Sequence, residues 1–276
     1  MKPDDAALHA QAGATRWPAL RLQAGAAVPS DEWLAEETPV ALVYNGISHA
    51  VMMATPTDLA DFALGFSLTE GILGSRDELL DLEIETGPAG ITVQLSITAR
   101  RIVRLKERRR TLIGRTGCGL CGTESLHEAI RPVAPVADGP QVTPAAIERA
   151  MQALSANQPL NLATGATHAA AWCDLSGQLL RVREDVGRHN ALDKLIGAIV
   201  ATPPPGADRA GFVVITSRAS FEMVHKCASV GISVLAAISA PTRLAVELAG
   251  RANLTLLGYV RGQRATVYHG AQRLSC

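Results

Sequence analysis

Residues 211–260 read GFVVITSRASFEMVHKCASVGISVLAAISAPTRLAVELAGRANLTLLGYV. Three apolar runs, 211–216, 233–238 and 254–260, are separated by stretches of helical spacing at 220–229 and 241–251. Short continuous apolar runs bounded by turn residues fit strands buried on both faces. Their alternation with helices predicts an α/β sheet covered by helices, and any parallel pair in it needs a right-handed crossover.

Working outward, 168–175 and 178–182 read as paired strands around Ser176-Gly177, and 186–200 has helical spacing. A helix opens at Thr143-Pro144 and runs to 154, and 123–130 reads as a short helix. Nearer the N-terminus, 39–44 and 47–53 flank Asn45-Gly46, a strong hairpin signal because both turn positions need positive φ. Thr55-Pro56-Thr57-Asp58 opens a helix running to about residue 73, and 82–85 and 91–97 alternate like strands. Residues before 36 are rich in Ala, Gly and Pro without a sustained period. The expected organisation is a mobile arm over 1–35, a small α+β domain over 36–115 and an α/β domain over 116–276.

Composition narrows the function. The chain has 276 residues, 47% of them hydrophobic, and 26 basic against 26 acidic side chains. That length supports a real core in one or two domains, and the charge balance argues against a general nucleic-acid binder. No apolar run reaches the ~18 residues of a membrane span, and the first eleven residues lack the pattern of a secretory signal. A cytoplasmic location is expected. Five cysteines, an odd count in a long chain, read as reduced thiols rather than a disulfide scaffold.

Two of those cysteines sit in TGCGLCG at 116–122. Glycines on either side favour an exposed loop in which a thiol can meet a partner's site. Arg115 and the run RRIVRLKERRR at 100–110 carry positive charge that would favour the thiolate. That run reads either as a solvated edge strand or as an approach surface for an anion or an acidic partner. Cys118 and Cys121 admit three readings: half of a zinc site completed by Cys173, Cys227 or distant histidines; a thioredoxin-like redox pair; or a persulfide carrier. Zinc deaminases need H-x-E, and His168-Ala169-Ala170 puts alanine where the acid should be.

Three further segments have the chemistry of anion sites. REDVGRHNALDK at 183–194 crosses a strand end and a helix start. Asp185 is placed to cap that helix. Arg188 and His189 then fall in its first turn, where cations are disfavoured unless an anion is near. The plain alternative pairs Arg183 and Arg188 with Glu184 and Asp193. TSRAS at 216–220 follows a strand, and there Ser217 and Arg218 suit a phosphate. His225 and Cys227 beyond it read as packing residues. At 259–264, Tyr259, Val260, Arg261, Gly262, Gln263 and Arg264 could hold a flat heterocycle and its phosphates, or form a surface turn.

With TGATHAAAWC at 164–173, REDVGRHNALDKLIG at 183–197, TSRASFEMVHK at 216–226 and SAPTRLAVELA at 239–249, the chain resembles the FdhD family of formate dehydrogenase accessory proteins from about residue 36 to its end. The resemblance implies a sulfur carrier with sulfurtransferase chemistry through a cysteine persulfide. Sulfur would come from a cysteine desulfurase and pass to the molybdenum (or tungsten) bis-pterin guanine dinucleotide cofactor of formate dehydrogenase. It also implies a cytidine-deaminase-like, three-layer C-terminal domain with no permanently bound metal. Cys118 would bear the persulfide, with Cys121 assisting, and 259–264 would bind the cofactor. A cofactor with two guanine ends is compatible with a homodimer. A non-catalytic cofactor chaperone and a zinc-stabilised binding module are the competing functions.

Overall fold

The structure, a computed structural model, describes residues 12–114, 133–203 and 210–275. It begins with two hairpins, β1 (Ala14–Gln23) with β2 (Ala26–Ala35), and β3 (Thr38–Tyr44) with β4 (Ile47–Ala54). Helix α1 (Leu59–Thr69), strands β5 (Leu79–Gly87) and β6 (Gly90–Ile97), and helix α2 (Ala99–Gly114) follow. Further on come α3 (Pro144–Ala156), α4 (Pro159–Thr164), β7 (His168–Cys173), β8 (Leu179–Asp185) and α5 (Arg188–Ala201). The last part is β9 (Phe212–Ile215), α6 (Phe221–Ser229), β10 (Val234–Ala237), α7 (Arg243–Arg251), β11 (Thr255–Arg261) and β12 (Arg264–His269).

Six strands form one mixed sheet in the order β12-β11-β10-β9-β7-β8. The apolar runs at its centre, β9, β10 and β11, are mutually parallel, whereas β7 runs antiparallel to β9, and β8 to β7. Helices cover both faces. Thr143 Oγ1 accepts from the Ala146 N–H at 3.1 Å to start α3, whose Ala146, Ile147, Ala150, Met151 and Leu154 pack on Ala169, Ala171, Phe212 and Val214. The alternate residues Ala170, Trp172, Val213 and Ile215 face the opposite way, toward Leu192, Leu195 and Val224 of α5 and α6. Period-two alternation within β7 and β9 therefore feeds two apolar layers from one strand.

A second sheet, β4-β3-β6-β5, packs its Val40, Leu42, Val93 and Leu95 into the same cluster as Phe62, Leu192, Leu235 and Leu256. The expected 36–115 and 116–276 units thus share one continuous core. Helix α1 crosses α5 at Gly65 and Gly197, where only glycine fits: a Cβ on Gly65 would lie 1.8 Å from Asp193 O, and one on Gly197 1.9 Å from Asp61 O.

Two segments differ from their sequence reading. Residues 14–35, expected as an arm without regular structure, pair in register from Ala14↔Ala35 to Gln23↔Ala26. Both faces of this ribbon are largely open, with Leu20 and Leu22 exposed, so no burial period marks it in the sequence. The basic run at 100–110 lies in helix α2 rather than an edge strand: Leu105 is buried, Ile102 packs one turn earlier, and Arg100 and Arg101 reach Glu78 at 2.8 and 2.6 Å. The helix expected at 123–130 lies outside the described residues. Among the described residues, no helix is long and apolar enough to cross a membrane.

Candidate functional site

Strand direction brings the ends of β8, β9, β10 and β11, together with the start of β7, to one edge of the large sheet. Its loops are bonded to one another. The Ala169 N–H donates to Thr216 Oγ1 at 2.8 Å, and the Thr216 N–H to Ala169 O at 3.0 Å. Thr242 N–H donates to Ala219 O at 3.0 Å, and Tyr259 N–H to Ser239 O at 3.2 Å. Arg261 Nε donates to Ile238 O at 3.1 Å. Ser217, Arg218, the Tyr259–Arg264 stretch, Arg188 and His189 are all on this braced edge.

Within it, Arg218, Arg261, Gly262, Gln263 and Arg264 are exposed, and Ser217 is buried with its hydroxyl donating to Arg218 O at 3.1 Å. Tyr259 adopts φ +52° at an irregularity in the β11–β12 pairing, and its ring is about half exposed. A bulky residue in the left-handed region is an outlier that surrounding contacts must hold, and such strain clusters at functional sites. Val260 is a correction to the predicted set: it is 2% exposed in the layer beneath α3, so its side chain belongs to packing.

The polar residues of 183–194 divide between the surface and the interior. Asp185 does not cap α5, whose N-cap is Gly187. Its Oδ1 accepts from the Gly187 N–H at 2.7 Å and from Asn190 Nδ2 at 3.1 Å. Its Oδ2 accepts from the Thr55 N–H at 3.0 Å and meets Lys194 Nζ at 2.7 Å, both side chains being fully buried. Burial pushes the Lys194 amine down from its usual range, opposed chiefly by Asp185. Lys194 also donates to Thr55 O at 2.9 Å. The alternative pairing of Arg183 and Arg188 with Glu184 and Asp193 is not what the structure has: Arg183 binds Asp61 Oδ2 at 2.6 Å, Glu184 accepts from the N–H groups of Leu160 and Asn161, and Asp193 meets Lys226 at 2.9 Å. These partners were missed because they lie far away in sequence, Arg183 and Asp61 being 122 residues apart.

Lys194→Met should strand the buried Asp185 carboxylate and cost about 3–5 kcal/mol, the range for breaking a buried pair from one side. Urea unfolding measures it. The double variant with Asp185→Asn should lose clearly less than the sum of the singles; strict additivity would show that the pair is not coupled.

Arg188 and His189 occupy the first turn of α5, beside Glu222 in the first turn of α6. His189 Nε2 lies 3.8 Å from Glu222 Oε2. Burial, then the Arg188 charge, holds the imidazoles of His168 and His189 below their ordinary pKa, which favours the neutral form. The edge therefore offers guanidinium groups, hydroxyls, backbone N–H groups and one half-exposed aromatic ring on a left-handed backbone.

The FdhD/NarQ family model matches residues 35–275. The chain belongs to the FdhD/NarQ family. It is 56% identical over 252 residues to the sulfur carrier protein FdhD of Bordetella bronchiseptica, covering 90% of each chain. It is 52% identical to that of Variovorax paradoxus, covering 94% of this chain and 92% of the relative. A solved structure from Desulfotalea psychrophila, described as a formate dehydrogenase accessory protein, superposes with a TM-score of 0.72 at 27% identity, covering 95% of this chain and 99% of that one.

Cys118 and Cys121 of this FdhD/NarQ chain lie outside the described residues. The structure does settle two other thiols. Cys173 and Cys227 are fully buried in the layers on opposite faces of the large sheet, and burial pushes both pKa values up. Neither thiol is presented at the surface as a nucleophile. Among the described residues, no group of three His, Cys, Asp or Glu side chains could hold a metal ion.

Proposed function

We propose that this protein is a sulfur carrier for formate dehydrogenase. The carrying observation is the 52–56% identity, over nine-tenths or more of this chain, to proteins named sulfur carrier protein FdhD. In this reading the Cys118 thiolate attacks the outer sulfur of a cysteine desulfurase persulfide. The S–S bond of the desulfurase breaks, its own thiolate leaves, and Cys118 carries the persulfide. Cys121 assists its release to the molybdenum (or tungsten) bis-pterin guanine dinucleotide, which is the substrate of the second transfer. The buried state of Cys173 and Cys227 supports a carrier role for the glycine-flanked pair.

The braced edge suits the nucleotide end of that substrate. Arg218, Arg261 and Arg264 are exposed cations for phosphate, and Tyr259 offers a flat face for guanine. The cytidine-deaminase-like reading of the fold is supported by helices on both faces of the sheet. The work would take place in the cytoplasm before the cofactor enters the enzyme, and a homodimer would present one such edge to each guanine.

Intact mass decides between carrier and chaperone. After incubation with a desulfurase and cysteine, the protein should gain the mass of one sulfur on an alkylatable thiol. Activation of formate dehydrogenase that survives alkylation of all accessible thiols would establish the chaperone instead.

A further inference from the structure

We propose that the β1–β2 ribbon of one copy of this chain lies across the outer face of the four-stranded sheet of a second copy, each ribbon docking on the other molecule. This supplies the contact for the homodimer read above. It rests on that two-copy reading and not on the sulfur chemistry.

The ribbon exposes five large apolar side chains, Trp17, Leu20, Leu22, Val28 and Leu34, with Leu20 at 68% and Leu22 at 81%. Hydrogen bonds tie it down at its base, where the Glu36 N–H donates to Gly13 O at 2.7 Å and Thr15 Oγ1 to Glu36 Oε1 at 2.6 Å. A two-stranded hairpin by itself is marginal in water, and a cluster of exposed apolar side chains marks a contact site. Strand addition at its edges is disfavoured, because Pro18 in β1 and Pro29 in β2 have no N–H to donate. The ribbon therefore offers its faces. Leu20 and Leu22 share one face, with Pro29 and Ala27 directly opposite them.

The receiving surface is the side of β4-β3-β6-β5 turned away from the core. Val40 and Leu42 point inward, which turns Ala41 outward, and the register sets Met53 opposite Pro39 and Val51 opposite Ala41. Val51 is 62% and Met53 47% exposed, so this half of the face is apolar and open. On β5, Asp81, Glu83 and Glu85 face the same way, paired with Ser96, Gln94 and Thr92. Both charged residues of β1 are arginines, Arg16 and Arg21, so a ribbon laid with β1 toward β5 brings opposite charges together. Area decides between two arrangements. Ten residues of two-stranded ribbon present a face of roughly 33 by 10 Å. Ribbon against ribbon would bury about 700 Å², short of the ~1,000 Å² of a stable interface, whereas two ribbons each laid on the other molecule's sheet bury about 1,300 Å². The reciprocal arrangement also closes as a two-fold dimer.

Sedimentation of the full chain over a range of concentrations tests this. The unaltered protein should dimerise. The double variant Leu20→Asp, Leu22→Asp should raise the dimer dissociation constant by ~100-fold or more, and Val51→Glu with Met53→Glu should do the same from the receiving side. Circular dichroism should show both variants folded, since all four residues are exposed; Leu22→Ser and Val51→Ser replace any that are not. Mixing the two double variants should restore association in part, because the ribbon of one and the sheet face of the other are intact. A dimer sensitive to the ribbon variant alone is ribbon-on-ribbon pairing and overturns the docking on the sheet. A dimer untouched by either variant overturns this interface and leaves the homodimer intact. A monomer at every concentration overturns both and leaves the sulfur carrier standing.

Discussion

Replacing Cys118 by alanine should abolish formate dehydrogenase activation while leaving the melting temperature of the protein unchanged. The loss should be complete because the step is chemical: without the sulfur there is no S–S bond to form. Cys173 and Cys227 cannot take over, since each is sealed in a core layer with its thiol held protonated by burial. Cys121→Ala should leave partial activity if Cys121 only assists release. The converse variants complete the test. Cys227→Ala should cost stability, as a buried side chain lost from a packed layer does, and leave sulfur loading intact. Formate dehydrogenase activity after co-expression, beside a melting curve for each variant, is the measurement. Full activation by Cys118→Ala would remove that residue from the mechanism.

Gly197→Ala should destabilise the protein, against its helix propensity. In an isolated helix this change would stabilise by about 1 kcal/mol, because alanine is the better helix former. Here the added methyl would lie 1.9 Å from Asp61 O, and the obstacle is backbone that cannot rotate away. The α1 and α5 helices would have to separate, loosening the Thr69–Asp193 bond that joins them. Overpacking of this kind costs typically about 1–3 kcal/mol, and a clash with main chain belongs at or above the top of that range. Gly65→Ala meets Asp193 O at 1.8 Å and should behave alike. Urea unfolding of either variant reads the sign directly: a stabilised protein would mean that the helices do not cross where the structure has them.

The central strands were legible because burial on both faces leaves an uninterrupted apolar run, as at 212–215 and 234–237. The Asn45-Gly46 turn was legible because its chemistry is local, and both residues do take positive φ. What stayed hidden was non-local or lacked a burial period. The ribbon at 14–35 packs so little of itself that its strands alternate nothing, and β12, exposed along most of its length, is hidden for the same reason. The arginines of 100–110 masked a helix whose apolar stripe is only Ile102 and Leu105 within the part whose side chains are described. At the candidate site, the motif at 183–194 marks a segment whose polar side chains divide between surface and interior. It could not show that Asp185 and Lys194 face inward to Thr55, because nothing near them in sequence marks that partner.

That inward bond governs how the chain must assemble. Lys194 and Thr55 are 139 residues apart, and Asp185 and Thr55 are 130 apart, yet they meet in a dry interior. Neither contact can form until most of the chain has been synthesised, and both require an ammonium and a carboxylate to shed their water as the four-stranded sheet docks. Closing loops of this span before any reward arrives slows folding. Until that docking, the inner faces of both sheets stay bare, the kind of exposed apolar surface that makes folding intermediates prone to aggregate.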